Sequence, residues 1–159
     1  MEQEIYNLSW EEVEIGVSNI LRQIKQKNIK IDTIIPLLRG GAPIGNLLSN
    51  NMDADISYMH IRRTKSNDVN AVFGTPVLKG ITNKEAIEGK DILIVDDLLD
   101  KGDTMKFAIQ ELEKYNPKSI HIAVLYNFTN LDNPERYLIG LTMEDKKWIV
   151  FPWETKIEV

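Results

Sequence analysis

The residues best suited to chemistry lie in one ordered run, Ile94-Val95-Asp96-Asp97-Leu98-Leu99-Asp100-Lys101-Gly102-Asp103-Thr104. The apolar stretch 91–95 reads as a strand buried on both faces, and Met105, Ala108, Ile109 and Leu112 recur on one helical face. The run therefore falls where a parallel strand gives way to a helix, the end at which open α/β sheets bind ligands. Gly102 suits a tight turn, and N–H groups at the helix start together with the Thr104 hydroxyl can hold a phosphate monoester. A Walker-type loop needs lysine directly before its hydroxyl residue, and here Asp103 stands in that place. The acids thus have another task. Asp96 and Asp97 can accept hydrogen bonds from the two hydroxyls of a ribose and help retain a magnesium ion, which prefers hard oxygen ligands and keeps several waters. Asp100, nearer the turn, is free to handle a proton. Two or three acids alone would read as a solvated loop, and it is their order within the run that points to a site.

The elements that must position this run can be read outward from it. Ser9 and Glu12 form a capping box, followed at helical spacing by Val13, Val17, Ile20, Leu21 and Ile24. Residues 31–38 form a short apolar strand that runs into Arg39-Gly40-Gly41-Ala42-Pro43, with a helix through about residue 48. A further strand is expected over 55–61 and a buried one over 119–125, whereas the polar segment 62–71 is too long for an ordinary connection and reads as a lid. The alternation predicts an α/β fold in a single domain over residues 1–159, an open, mostly parallel sheet flanked by helices.

Composition narrows the function classes. A net charge of -5 and a pI near 5.1 argue against non-specific binding to nucleic acid or to anionic membranes, so an anionic substrate needs locally clustered positive groups. Without cysteine, disulfides, thiolate nucleophiles and cysteine-ligated metals are excluded. No stretch approaches the roughly 20 apolar residues of a membrane span, and no basic start with an apolar run suggests a signal peptide, so a cytoplasmic location is expected.

In its order of apolar pairs, acids and turn, the run 94–104 resembles the phosphoribosyl diphosphate motif of the type I phosphoribosyltransferases. The resemblance implies that Asp96 and Asp97 contact the ribose hydroxyls and a Mg2+ ion. It assigns the 5-phosphate to Lys101, Gly102, Asp103 and Thr104, and a place near the base to Asp100. Lys101 stands where the family usually has threonine, and Asp103 where glycine or lysine is common; Asp103 can instead cap the helix through its side chain. Leu38-Arg39-Gly40-Gly41 resembles the family's diphosphate-binding loop, in which glycines admit backbone N–H groups to the anion and Arg39 adds charge. The segment 62–71, with Arg62, Arg63 and Lys65, sits where the family places its flexible catalytic loop.

The end of the chain, Trp148-Ile149-Val150-Phe151-Pro152-Trp153-Glu154, is similar to that of the xanthine, guanine and hypoxanthine phosphoribosyltransferases. There the first aromatic residue stacks on the purine and the next backbone reads its edge, which assigns stacking to Trp148 and backbone contacts to Ile149, in a small hood region. Trp153 is expected in the core or at a dimer interface. Those enzymes place a lysine after the following strand to bond the purine 6-oxygen, and this chain has Asn127, an amide that can both donate and accept. The implied activity is transfer of ribose 5-phosphate from phosphoribosyl diphosphate to a 6-oxopurine in nucleotide salvage, by a homodimer or homotetramer. Two alternatives stay open: another base, such as adenine, a pyrimidine or a modified purine, and a regulator that senses nucleotides on the same fold without turnover. His60 has no assigned role, and His121, alternating with apolar neighbours, is expected to be structural.

Overall fold

Apolar runs of strand length and amphipathic runs of helix length alternate along the chain, and the computed structural model, which describes residues 3–64 and 74–159, follows that alternation. In chain order the elements are β1 (Ile5–Asn7), α1 (Trp10–Gln26), β2 (Thr33–Leu38), α2 (Ala42–Ser49), β3 (Asp55–Ile56), β4 (Met59–Arg63), β5 (Pro76–Ile81), β6 (Asp91–Leu99), α3 (Asp103–Glu113), β7 (Ser119–Asn127), β8 (Tyr137–Ile139) and β9 (Trp148–Val150). The main sheet has the order β5-β4-β2-β6-β7-β8, with β3 also pairing to β2; only the β4–β5 pair is antiparallel.

Strand β6 is central and buried on both faces, as its unbroken apolar sequence requires. Ile92 and Ile94 pack into the layer that includes Met105, Ala108 and Leu112 of α3. Leu93 and Val95 point the other way, into the layer of Val17 and Ile20 from α1 and Ile44 and Leu48 from α2. The strand is longer than the apolar run alone suggests. It continues through Asp96 and Asp97 to Leu99, still paired with β7 as far as Asn127.

The expected strand over 55–61 is present but interrupted. Its two pieces, β3 and β4, lie along the same edge of β2 in one unbroken register, Thr33 opposite Asp55 and Leu37 opposite Met59. Ser57 donates its N–H to the Ile34 carbonyl at 2.9 Å, and the next bond of a parallel ladder would come from the N–H of residue 36. Residue 36 is proline, so that bond cannot form and the ladder breaks there.

A second, two-stranded sheet joins the two ends of the described chain. β1 and β9 pair in parallel, Ile5 with Trp148, Tyr6 with Ile149 and Asn7 with Val150. Ile149 and Phe151 are buried in the same layer as α1 and α2, which seats this small sheet on the main body as the hood expected from the chain's end. Trp153 packs against Phe151 with ring centroids 5.0 Å apart and against Trp10 at 5.7 Å. Among the described residues no helix is long and apolar enough to cross a membrane.

The capping box at the start of α1 is complete: the Ser9 hydroxyl accepts from the Glu12 N–H at 3.1 Å, and Glu12 accepts from the Ser9 N–H at 2.9 Å. Glu12 also accepts from the Tyr6 hydroxyl, which ties β1 to the helix start and holds the Glu12 carboxyl below its usual range. Replacement Ser9→Ala removes the cap and is expected to destabilise the fold by about 1 kcal/mol. A urea denaturation midpoint unchanged from the parent would show that the cap contributes nothing.

Candidate active site

The acid pair, the glycine loop and the phosphate turn all lie at the carboxyl end of the parallel strands, brought there by the ends of β2 and β6. The loop after β2 lies so close to β6 that no side chain fits. A Cβ on Gly40 would stand 2.1 Å from Asp97 Oδ2, and one on Gly41 would stand 2.2 Å from the Val95 carbonyl oxygen. Here the two glycines are a steric necessity. The Leu38-Arg39 peptide entering the loop is cis.

Asp96 and Asp97 are partly exposed at the floor of this region, and the Asp97 N–H bonds back to Asp96 Oδ1 at 2.9 Å. Burial, followed by repulsion from Asp97, holds the Asp96 carboxyl well above the ordinary carboxylate range. Burial also raises Asp97, and the Glu154 carboxylate adds to the effect. Two adjacent acids in this state gain from hydroxyl donors or a cation, so their oxygens fit both ribose hydroxyls and magnesium. Among the described residues there is no cluster of three or more histidines, cysteines or acids suited to a metal. A magnesium ion held by this pair must therefore take further oxygens from its ligand or from water.

Beyond the pair, Asp100 is half exposed and its Oδ1 accepts from Lys146 Nζ. Gly102 is the N-cap of α3 with φ 86°, a left-handed conformation that glycine adopts without strain. Among the described residues no side-chain cap is made at this helix start. Asp103 occupies its first turn without making the side-chain cap it was expected to supply, because the N-cap position falls on Gly102. Among the described residues the N–H groups opening α3 have no side-chain cap, and N–H groups at a helix start are suited to an anion. Lys101 and Gly102 line a hollow of about 240 Å³ that also includes Lys106 and Arg136.

Three arginines from outside the 94–104 run, Arg39, Arg62 and Arg63, line this region. Arg63 donates to the Thr104 hydroxyl at 2.8 Å and also to the Gly74 carbonyl. Arg62 and Arg63 belong to β4, whereas residues 65–71 of the expected lid, Lys65 among them, lie outside the described residues. Arg39, His60, Arg62 and Arg63 share a groove of about 470 Å³ with Leu38 and Ile61. This is the local positive cluster that an acidic protein needs for an anionic ligand. Arg39 also lines a larger cleft of about 1000 Å³ with Gly40, Asp97, Trp153 and Glu154. The contribution of His60 is visible only from the parallel register that sets it beside Leu38.

In the hood, Trp148 is 61% exposed beside Ile5, also exposed, while Ile149 is buried. Trp148 N–H donates to the Glu4 carbonyl at 2.8 Å, and the Val150 carbonyl accepts from Leu8 N–H at 2.9 Å. Because alternate residues of a strand face opposite edges, the Ile149 N–H and C=O point away from β1. Asn127 is less available. Its Nδ2 donates to the Thr129 carbonyl at 2.9 Å and its Oδ1 accepts from Thr129 N–H at 3.1 Å. His121 lies in β7 with Nδ1 buried and without a hydrogen-bond partner among the described residues, and burial lowers its pKa.

The acid pair, the start of α3 and the cationic groove thus lie together at the carboxyl end of a mostly parallel sheet. The chain belongs to the phosphoribosyl transferase domain family, which matches residues 7–159. It is 28% identical over 155 residues to the xanthine-guanine phosphoribosyltransferase of Idiomarina loihiensis, covering 92% of this chain and 85% of that protein. It is also 27% identical over 115 residues to the transcriptional regulator GfcR 1 of Methanosarcina barkeri, covering 71% of this chain and 53% of the regulator. The chain thus spans about half the length of the GfcR regulators it matches. Among solved structures, the purine phosphoribosyltransferase from Pyrococcus horikoshii Ot3 matches with a TM-score of 0.77 and 27% identity, over 98% of this chain and 97% of that one.

The raised carboxyls make a stability prediction with a definite sign. A folded-state pKa above the unfolded value means that the folded protein binds more protons within that interval, so stability falls as pH rises through it. The penalty is greatest above the raised values of Asp96 and Asp97. The double substitution Asp96→Asn with Asp97→Asn is expected to raise the denaturation midpoint at neutral pH, with the advantage shrinking on acidification toward the ordinary carboxylate range. A variant less stable than the parent at pH 7 would contradict the electrostatic account.

Proposed function

We propose that the protein is a purine phosphoribosyltransferase, which joins a purine, in particular a 6-oxopurine, to the ribose 5-phosphate of phosphoribosyl diphosphate and releases diphosphate. The observation that carries this reading is the acid pair at the end of β6, bordered by the uncapped start of α3 and by the groove of Arg39, Arg62 and Arg63. Phosphate, ribose and diphosphate then each have chemically matched groups. The N–H groups of residues 103 and 104, with the Arg63 guanidinium and Thr104 hydroxyl, hold the 5-phosphate. Asp96 and Asp97 accept from the ribose hydroxyls and would hold a magnesium ion, whose chemistry there is to neutralise charge on the diphosphate. Backbone N–H groups of Gly40 and Gly41 approach the diphosphate, and Arg39 neutralises it as it leaves.

Displacement at the ribose C1 passes through a state with oxocarbenium character, so positioning and exclusion of water matter more than a strong nucleophile. Trp148 offers an exposed ring on which a flat base can stack, and Ile149 presents a free donor and acceptor to the base edge. Asp100 takes or holds a ring N–H proton as the purine nitrogen bonds to C1. A second reading is favoured by the likeness to GfcR 1: a nucleotide-sensing regulator that binds the same ligands without turnover.

The test is incubation of a panel of nucleobases with phosphoribosyl diphosphate and magnesium, followed by detection of nucleotide and diphosphate. Enzymatic function predicts a purine nucleotide product; binding of nucleotides with no product from any base would favour the regulator. Replacement Asp100→Asn should lower kcat by about 10²- to 10⁴-fold while phosphoribosyl diphosphate still binds, and a loss within about 3-fold would remove Asp100 from proton transfer. For Trp148→Ala, calorimetry should show purine nucleotide affinity weakened by about 1–3 kcal/mol with phosphoribosyl diphosphate affinity retained. Equal losses for both ligands would argue against stacking.

A further inference from the structure

The turn that opens α3 has two sides. On one, Arg63 reaches the Thr104 hydroxyl from β4, which lies beyond β2 in the sheet order. On the other, toward β7 and β8, lies the hollow of about 240 Å³ that Lys101 and Gly102 share with Lys106, Arg136 and the loop after β7. Asp96, Asp97, Asp103 and Thr104 are not among its walls, so it is separate from the places assigned to ribose and 5-phosphate. Lys101, which the resemblance assigned to the 5-phosphate, lines this second space.

Three cations converge here in a protein of net charge -5. Among the described residues none of Lys101, Lys106 and Arg136 forms an ion pair, not even with Asp132, the one acid in the wall. Arg136 is half-buried, and its Nε is buried without a hydrogen-bond partner among the described residues. Like charges gathered without a counter-ion repel one another, and an anion relieves them. Leu99, Ile109, Leu131 and the Tyr137 ring give the same hollow an apolar side. Burial holds the Tyr137 hydroxyl above its ordinary range, so at neutral pH it stays protonated and can donate.

We propose that this hollow is a second ligand site, which takes a phosphate monoester with a compact, flat, apolar body. A phosphate monoester carries a charge of about -1.5 to -2 near neutral pH and three strong acceptor oxygens, a closer match to three cations than a singly charged carboxylate. An apolar wall gains nothing from a bare ion and calls for a body that can be taken out of water. The hollow is smaller than the about 300–1,000 Å³ of pockets for drug-sized ligands, which limits that body to roughly one ring. Because Gly102 also caps α3, the occupant abuts the turn without taking the place of the substrate.

The experiment titrates phenyl phosphate by calorimetry into parent, Lys106→Met, the double variant Lys106→Met with Arg136→Met, and Arg63→Met, in about 0.15 M salt so that diffuse attraction is screened. Lys106→Met should weaken binding by about 5- to 20-fold and the double variant by about 10- to 100-fold, as expected for the loss of charged hydrogen bonds. Arg63→Met should leave one saturable site with the parent's affinity. Lys106 is exposed, so the denaturation midpoint of Lys106→Met should match the parent, and this variant carries the test even where the half-buried Arg136 cannot be replaced without unfolding. With the Arg63→Met protein, inorganic phosphate, which lacks the ring, and benzoate, which lacks the second charge, should each bind at least about 10-fold more weakly than phenyl phosphate. Equal affinity for either would overturn the assigned ligand class. Loss of binding in Arg63→Met with retention in Lys106→Met would put the ligand at the 5-phosphate place and overturn the second site. Equal weakening in all three variants, or no saturable binding to the parent, would overturn it as well.

Discussion

The arrangement at the end of β6 depends on one constraint: two adjacent carboxylates are held in a partly buried place where the fold supplies them with little compensation. Removing a carboxylate from water costs several kcal/mol unless donors or counter-charges replace the lost hydration. Here the Asp97 N–H returns one hydrogen bond to Asp96, but Asp97 repels the Asp96 carboxylate and Glu154 acts in the same sense on Asp97. The glycine loop is pressed against Asp97, with no room there for a side chain at residue 40. The site is costly when empty and is relieved by a ligand with paired hydroxyls or a divalent cation. Its shape and its electrostatics point to the same ligand.

The chain was legible in sequence where its signals are local. The acids, the turn and the α3 face follow one another directly, so their order placed them at a strand-to-helix junction. The capping box at Ser9 was legible for the same reason, since both partners lie within one helical turn. Features that depend on distant neighbours were not. Nothing within residues 55–61 announces the break between β3 and β4; it is caused by Pro36 on the adjacent strand. β1, with three residues, is too short for periodicity to register, and it owes its existence to β9. Arg62 and Arg63 were grouped with a polar loop because a short strand ending in two arginines looks like a solvated segment, although Arg63 crosses to Thr104. Asn127, at the expected sequence position, is bound to its own loop, while Lys146 reaches Asp100 only through tertiary folding.

The two halves of the site are therefore built by different means. The part assigned to phosphate and ribose comes from two strand ends and the helix start that follows one of them, and it rests on a core packed on both sides. The part assigned to the base comes from the hood, a two-stranded sheet fastened by Glu4, Tyr6 and Leu8 at one end of the chain and by residues 147–150 at the other. Such a division lets base preference change through a few hood residues without disturbing the strand ends. It also explains how a family can share the phosphoribosyl half while its relatives carry names as different as a phosphoribosyltransferase and a transcriptional regulator.

The β1–β9 ribbon also orders events during synthesis. Glu4 and Lys147, joined across it, are 143 positions apart, so this contact closes almost the entire chain. Loops of that length close late, because the entropy lost in bringing their ends together is repaid only once the intervening core exists. During synthesis β1 emerges well before its partner and must wait, an unpaired edge, until β9 has been made. The strand ends and helix start that carry the acid pair can assemble from β2, β6 and α3 before then, but the ribbon that carries Trp148 cannot. A nascent chain therefore builds the two parts of this region in a fixed order, the acid pair first and the aromatic edge last.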